Sequence, residues 1–421
     1  MPRLFRFLLA ALVLVMSGLA LLGRPAVAAD FSPLTVSPEQ QARYAWSDEA
    51  RFAHTDWQGI EQETMKLADR RIGSFDGVAT GWPHRPVRIH YRMYLNRQER
   101  LGAVVIVPGF TEGLTIYQEL IHDLVRNGYS VYIHDHRNQG FSTRLLEGDK
   151  QADKGHLDRF DRLVTDLERF LRLVSEDRQR DVVRSGRPVF ALAHSMGGAV
   201  VALHLARQGA QTPFSGVALV TPMFEPTMAR RDDRSWGART LRSWCHSGAF
   251  DLPFSVPWLS ERRASGQPFE QEWTTFRAMS DPARHPQTHS VVRHRMRWVN
   301  RDGRCEGPDC GHGDARVSGP TYQWVDQACA GADEARGPGA SRITVPVLLI
   351  QGSEDTVVEP AAQNAFCEQV NAPGSAGGRC IGLRMPTSRH GLLLEVDAMR
   401  TPALSRVLSF WSDVAMGTLA P

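Results

Sequence analysis

Val189-Phe190-Ala191-Leu192-Ala193-His194-Ser195-Met196-Gly197-Gly198 is the stretch from which the rest of the chain can be ordered. A fully apolar run leads into a serine and then directly into a small-residue-rich segment at helical spacing, Met196 to Arg207. Strand, serine and helix with nothing between them predict a tight turn. Its hydroxyl stands exposed, with the positive end of a helix behind it. Such a turn strains the backbone of the central residue and leaves no room for side chains two positions away, so Ala193 and Gly197 suit it. Ala193 stands where glycine is usual in this pattern; alanine is the next smallest residue. An ordinary helix N-cap would also favour serine here, and this segment taken alone does not separate the two.

Outward from that point, apolar runs of strand length alternate with helical periodicity. Strands are expected at Val87–Tyr94, Ala103–Val107, Ser130–Ile133, Pro188–Ala193, Gly216–Val220, Val345–Ile350 and Ile381–Met385. Helices are expected at Tyr117–Arg126, Asp158–Leu173, Met196–Arg207, Ala361–Val370 and Thr401–Val414. Short apolar strands separated by helices imply βαβ crossovers and a mostly parallel sheet flanked by helices, an α/β fold. The polar stretch 29–85 is read as a lead-in with one or two helices. Core segments are expected at 86–221 and 343–421. Between them, 222–342 loses the alternation and is rich in Arg, Trp, Pro and Gly, as expected of an inserted lid (cap) subdomain.

Two further loops carry candidate chemistry. Asp355 follows the apolar strand Leu348-Leu349-Ile350, and His390 lies on the loop after the last strand. The chain order Ser195, Asp355, His390 is that of α/β-hydrolases rather than of the other serine-hydrolase folds. In this arrangement His390 takes the proton of Ser195, Asp355 orients the imidazole, and the amide of Met196, just after the nucleophile, supplies one donor for the oxyanion.

Several motifs together resemble the lysophospholipase and monoacylglycerol-lipase branch of the α/β-hydrolases. They are Val107-Pro108-Gly109-Phe110, Asp135-His136-Arg137-Asn138-Gln139-Gly140-Phe141-Ser142, Gly155-His156-Leu157-Asp158-Arg159-Phe160, His194 to Gly198, Gln351 to Asp355, and His390 through Glu395 to Arg400. The resemblance spans about residue 85 to the C-terminus and aligns less well across the insertion. It implies a serine hydrolase that cleaves lipid carboxylic esters, lysophospholipid or monoacylglycerol, through an acyl-enzyme on Ser195, with no metal or organic cofactor. It also implies that Phe110 supplies the second oxyanion amide, that Asp355 rather than Glu354 or Glu359 is the acid, and that His136 belongs to a structural loop near the pocket. His194 is read as a packing and turn residue. An esterase or iminopeptidase of the same superfamily, acting on small soluble substrates, is the alternative. A peptidase would need lid carboxylates for a substrate amine, and Glu225, Asp232, Asp233, Glu261, Glu270 and Glu272 are candidates. A non-catalytic lipid-binding relative is the reading from another class.

In the insertion, Trp236, Trp244, Phe250, Phe254, Trp258, Trp273, Phe276 and Trp298 suit an apolar acyl pocket. Interleaved arginines, among them Arg230, Arg231, Arg234, Arg239, Arg242, Arg262, Arg263, Arg293, Arg295 and Arg297, could face an anionic head group or a membrane surface, or form a solvated basic face. A net charge of +3 from 49 basic and 46 acidic residues gives no ground for nucleic-acid binding. Arg3 and Arg6, the apolar run Leu8–Leu22 and the small residues Ala26-Val27-Ala28 read as a secretory signal peptide cut after Ala28 or Ala29. Export to the periplasm or medium follows; an uncleaved membrane anchor is the alternative. In an oxidising compartment the six cysteines favour disulfides, with Cys367–Cys380 the first expected pair and Cys245, Cys305, Cys310 and Cys329 pairing among themselves. A zinc site at Cys305, Cys310 and His312 is the weaker option. The sequence carries no signal for an oligomeric state.

Overall fold

The computed structural model describes residues 30–81, 84–148, 152–228, 245, 257–278, 285, 287–303 and 314–419. The candidate signal peptide and the cysteines and histidine of the zinc option, Cys305, Cys310 and His312, lie outside these residues.

Among the described residues nine strands form one sheet: β1 (Ser32–Pro33), β2 (Ala68–Asp76), β3 (Arg88–Asn96), β4 (Gly102–Val107), β5 (Tyr129–His134), β6 (Val189–His194), β7 (Gly216–Val220), β8 (Val347–Gly352) and β9 (Cys380–Met385). Their spatial order is β1-β9-β8-β7-β6-β4-β5-β3-β2. The pairs from β1 to β5 along that order are parallel, whereas β3 runs antiparallel to both β5 and β2. The central strands are buried along nearly their whole length because helices cover both faces. Ala103, Val105, Val107, Ala191 and Ala193 enter one core cluster, while Val104, Ile106, Phe190 and Leu192 enter the other.

One face is covered by α3 (Phe160–Gln179), α4 (Met196–Gln208), α7 (Tyr322–Arg336) and α8 (Pro360–Val370). The opposite face carries α2 (Gln118–Arg126) and α9 (Asp397–Met416), with Trp57 of α1 (Trp57–Met65) joining the same cluster. Within the insertion lie α5 (Phe269–Ala278) and α6 (Val291–Arg301).

Two segments differ from the sequence expectation. The stretch 29–85, expected to be helical or irregular, contributes β1 and the nine-residue edge strand β2. Edge strands expose one face, so Ala-Asp-Arg-Arg-Ile-Gly-Ser-Phe-Asp lacks the apolar run of a central strand. Its Arg70 and Arg71 are anchored on Glu61 and Asp177. The end of the insertion is built into the helical layer: α7 packs on α4 and α3, and Cys329 on α7 is joined to Cys245 by a disulfide. A second disulfide, Cys367–Cys380, ties α8 to β9 as the sequence suggested.

Candidate active site

Ser195 occupies the turn between β6 and α4 at φ 50°, ψ −119°, a region that costs a non-glycine residue about 1–3 kcal/mol. The turn is held by three main-chain bonds: Ser195 N–H donates to Val220 O at 3.1 Å, and its carbonyl accepts from Gly198 and Met223, each at 2.9 Å. A Cβ on Gly197 would lie 2.2 Å from Val107 O, so only glycine lets α4 start against the end of β4. Ser195 Oγ stands 2.9 Å from His390 Nε2. His390 Nδ1 stands 2.8 Å from Asp355 Oδ2, and Asp355 Oδ1 accepts the amides of Val357 and Val358 at 2.8 and 3.2 Å.

All three side chains are buried. Burial alone would raise the Asp355 carboxyl. The facing His390 ring and the two amides outweigh it and hold the group below its ordinary value of 3.8, so it stays ionised. The competing acids are placed elsewhere: Glu354 faces His289 at 3.5 Å, and Glu359 accepts from Thr227 Oγ1.

On the other side of the serine, residues 108–112 form a loop after β4. Among the described residues, no acceptor takes the amide of Phe110 or of Met196. The Phe110 ring lies 3.9 Å (centroid to centroid) from Trp324. The loop is braced from behind by side chains whose importance the sequence did not reveal. Gln139 Oε1 accepts from Thr111 N at 2.8 Å, and Gln139 Nε2 donates to Gly109 O at 3.0 Å and Glu112 O at 3.2 Å. His136 Nε2 donates to Pro108 O at 3.0 Å; burial lowers this imidazole to about 4, so it is neutral and braces the loop. Replacing Gln139 by Ala is expected to lower kcat by about 10–100-fold with KM nearly unchanged, because loosened amides forfeit part of the donor geometry that acts only in the transition state. A parallel rise in KM, or no kcat loss, would show that the loop keeps its shape without Gln139.

His194 does more than pack a turn. Its Nε2 donates to the carbonyl of His390 at 3.1 Å, which also accepts from Thr221 Oγ1 at 2.8 Å. Its Nδ1 lies 2.9 Å from Glu112 Oε2, which further accepts from Gly109 N at 2.7 Å and Tyr117 Oη at 2.5 Å. With a carbonyl on one nitrogen and a carboxylate on the other, the ring donates twice and is an imidazolium. Burial opposes both charges, but the pairing outweighs it: His194 is raised above 6.5, and Glu112 is lowered to about 2, mainly by His194 with help from Arg297 and Tyr117. One buried ion pair therefore joins the loop after β4, the end of β6 and the His390 loop.

The pH dependence follows from these directions. Glu112 stabilises the fold above its ordinary 4.5 and loses this as pH falls toward about 2. His194 stabilises it below its ordinary 6.5 and loses this as pH rises through its higher folded value. Glu112→Gln is thus expected to lower Tm most between pH 4.5 and 6.5, with a loss of about 3–5 kcal/mol from breaking a buried pair. Thermal unfolding of both proteins across pH checks this; a Tm difference that is flat or largest at alkaline pH would contradict the charged pair.

The serine opens on a cavity of about 560 Å3. Its wall is largely apolar, with Met223, Met228, Trp324, Val325, Val357 and Val358. The aromatic expectation needs correction. Trp273, Phe276 and Trp298 stack on one another and are not part of this wall; Phe110, Tyr322 and Trp324 are. Trp236, Trp244, Phe250, Phe254 and the side chain of Trp258 lie outside the described residues. Arg230, Arg231, Arg234, Arg239 and Arg242 lie outside the described residues, and the described arginines do not form one basic face. Arg263 pairs with Asp153 and Arg293 with Glu119, while Arg295 is exposed and Arg297 is buried. Of the candidate amine-holding carboxylates, Glu225 pairs with Arg336 and Glu270 with Arg316, and Glu261 and Glu272 are not in the cavity wall. Asp232 and Asp233 lie outside the described residues.

Comparison with known proteins agrees with this architecture. A family model described as serine aminopeptidase, S33, matches residues 98–397. Lysophospholipase L2 of Escherichia coli (strain K12) is 32% identical over 337 residues, covering 79% of this chain and 86% of that protein. A probable lysophospholipase L2 of Haemophilus influenzae is 25% identical over 335 residues, covering 77% and 89%. The crystal structure of a soluble variant of monoglyceride lipase from Saccharomyces cerevisiae, in complex with a substrate analog, shares the fold with a TM-score of 0.56 at 16% identity, over 83% of this chain and 96% of that one. With a mostly parallel sheet, a serine at the strand-to-helix turn and a match over most of its length, the chain belongs to the α/β-hydrolase family described as serine aminopeptidase, S33.

Proposed function

We propose that this protein is a serine hydrolase of lipid carboxylic esters, with lysophospholipid or monoacylglycerol as substrate. The observation that carries it is the line Ser195 Oγ, His390, Asp355, at 2.9 and 2.8 Å, opening on an apolar cavity large enough for an acyl chain. His390 Nε2 takes the hydroxyl proton as Ser195 Oγ attacks the ester carbonyl. Asp355 holds Nδ1–H and stabilises the imidazolium. The amides of Phe110 and Met196 receive the oxyanion. Collapse of the tetrahedral adduct breaks the bond to the alcohol, which leaves with the proton from His390. Water, deprotonated by the same imidazole, then attacks the acyl-enzyme and releases the fatty acid, restoring Ser195.

The ester reading is favoured over a peptidase by the cavity wall. Its one carboxylate, Glu112, is spent on His194, so no free acid waits for a substrate amine among the described lining residues. The relatives' names, lysophospholipase L2 and monoglyceride lipase, support the same choice. The test is kcat/KM on a panel of lysophosphatidylethanolamine, monoacylglycerol, a p-nitrophenyl ester and a prolyl amide. Fatty-acid release from the lipids is expected; turnover of the amide alone would overturn the proposal.

We further propose export, with removal of residues 1–28 or 1–29, on the basis of Arg3, Arg6, the apolar run and the small residues before the cut. The two disulfides support an oxidising compartment. N-terminal sequencing of the mature protein should begin at Ala29 or Asp30. Contact of the insertion with a membrane surface would bring the cavity to its lipid.

A further inference from the structure

Behind the cavity wall at Thr111 and Gln287 lies a group of basic side chains that the proposed chemistry does not use. Arg297 on α6 brings Nη2 to 3.4 Å from Thr111 Oγ1, and the residue is only 6% exposed. It has no carboxylate partner among the described residues, and its Nε is buried without an acceptor. The acids that face it are Glu112, already engaged by Gly109, Tyr117 and His194, and the more distant Glu272. One turn along α6, Arg301 donates to Val317 O, stands 4.0 Å from Glu272 and leaves Nε unpartnered. One turn back, both ring nitrogens of His294 are unpartnered, and its ring lies 3.6 Å from that of His285. His285 Nδ1 accepts from Gln287 N at 3.2 Å, which links the group to the cavity lining.

Four other deeply buried arginines are treated differently. Arg92 meets Glu61 at 2.5 Å, Arg137 meets Asp166 at 2.8 Å, Arg293 meets Glu119 at 2.8 Å, and Arg400 meets Asp123 at 2.9 Å. An arginine buried without a counter-ion is strongly unfavourable. Arg144, also without a carboxylate, donates to the carbonyls of Asp314 and Arg316, and Arg301 donates to that of Val317; among the described residues Arg297 has only the Thr111 hydroxyl. Positive charge is in excess here: Arg297, Arg301 and the His194 imidazolium face Glu112 and Glu272, with His285 and His294 adding ring N–H donors. Burial and the neighbouring Arg297 hold Arg301 down to about 9, so an arriving anion would relieve a repulsion already present.

We propose that Arg297, backed by Arg301 and His294, is an anion site bordering the active-site cavity behind Thr111 and takes the phosphate of a glycerophospholipid head group. The proposal rests on the lipid-ester reading above and sharpens it toward lysophospholipid. Thr111 follows Phe110 directly, so a phosphate drawn to Arg297 sits beside the loop that receives the ester carbonyl. The glycerol backbone spans the two, and the acyl chain follows the apolar wall. A guanidinium suits this task because its planar fork matches phosphate oxygens in pairs.

The experiment compares kcat/KM for lysophosphatidylethanolamine with that for monoacylglycerol of the same acyl chain, in wild type, Arg297→Gln and Arg297→Lys. Binding of glycerol 3-phosphate and of inorganic phosphate is measured by calorimetry on the same proteins. Arg297→Gln is expected to lower the phospholipid-to-monoacylglycerol ratio by about 10–100-fold, the weight of a charge-assisted hydrogen-bond pair, with Arg297→Lys between it and wild type. Glycerol 3-phosphate should bind wild type and lose about tenfold in Arg297→Gln. Equal losses on both lipids, or an unchanged ratio, would overturn the subsite. Inorganic phosphate binding as tightly as glycerol 3-phosphate would overturn the head-group assignment in favour of free phosphate. Should Arg297→Gln fail to fold, Arg297→Lys decides alone: a ratio equal to wild type rejects the proposal. If wild type cleaves neither lipid, the ester reading falls, while the calorimetry still decides whether Arg297 binds phosphate.

Discussion

Ser195→Ala is expected to abolish ester turnover, by about 10^4-fold or more, and to remove all labelling by a fluorophosphonate probe. The size of the effect follows from what is lost. Without Oγ there is no acyl-enzyme, and His390 Nε2, 2.9 Å away, has no hydroxyl to deprotonate. The oxyanion donors remain, but they have only a water-driven reaction to assist. The fold should survive, because the turn is made by main-chain bonds from Val220, Gly198 and Met223 and by the close fit of Gly197, none of which needs the hydroxyl. Labelled Ser195→Ala protein would place the nucleophile elsewhere.

Asp355→Asn is expected to lower kcat by about 10^4-fold with a small change in KM. The asparagine would fit, and one oxygen could still accept the amides of Val357 and Val358. That choice turns its NH2 toward His390 Nδ1, which must then become the acceptor. The ring proton moves to Nε2 and points at Ser195 Oγ, so the nucleophile faces a donor where it needs a base. An isosteric change thus spoils the tautomer without moving an atom far. Near-wild-type kcat would show that His390 is oriented by other contacts, for example those on its carbonyl from His194 and Thr221.

Glu112 and Gln139 illustrate why part of the site was not legible. Neither stands next to a nucleophile in the chain. Their effect depends on a strand crossover that brings Gln139 back beneath residues 109–112, and on β6 lying beside β4 so that His194 meets Glu112. Gln139 was visible in the motif Asp135–Ser142, but nothing in its spacing says that a side chain will bond three main-chain groups of another loop. In the sequence Arg297 is one of many arginines of the insertion. Its lack of a counter-ion among the described residues is a property of packing.

The order of elements, and the candidates Ser195, Asp355 and His390 that the structure brings within hydrogen-bond reach, are marked in the sequence because they rest on local rules. Apolar runs of strand length, helical periodicity and small residues around a turn act over a few positions and leave their mark in the residues themselves. The edge strand β2 escaped because its exposed face removes that mark. Distances between loops, the pairing of buried charges and the shape of the cavity belong to the folded chain. They arise when residues far apart in sequence are pressed together out of water, where an ion pair such as Glu112–His194 or an unmatched charge such as Arg297 acquires its weight.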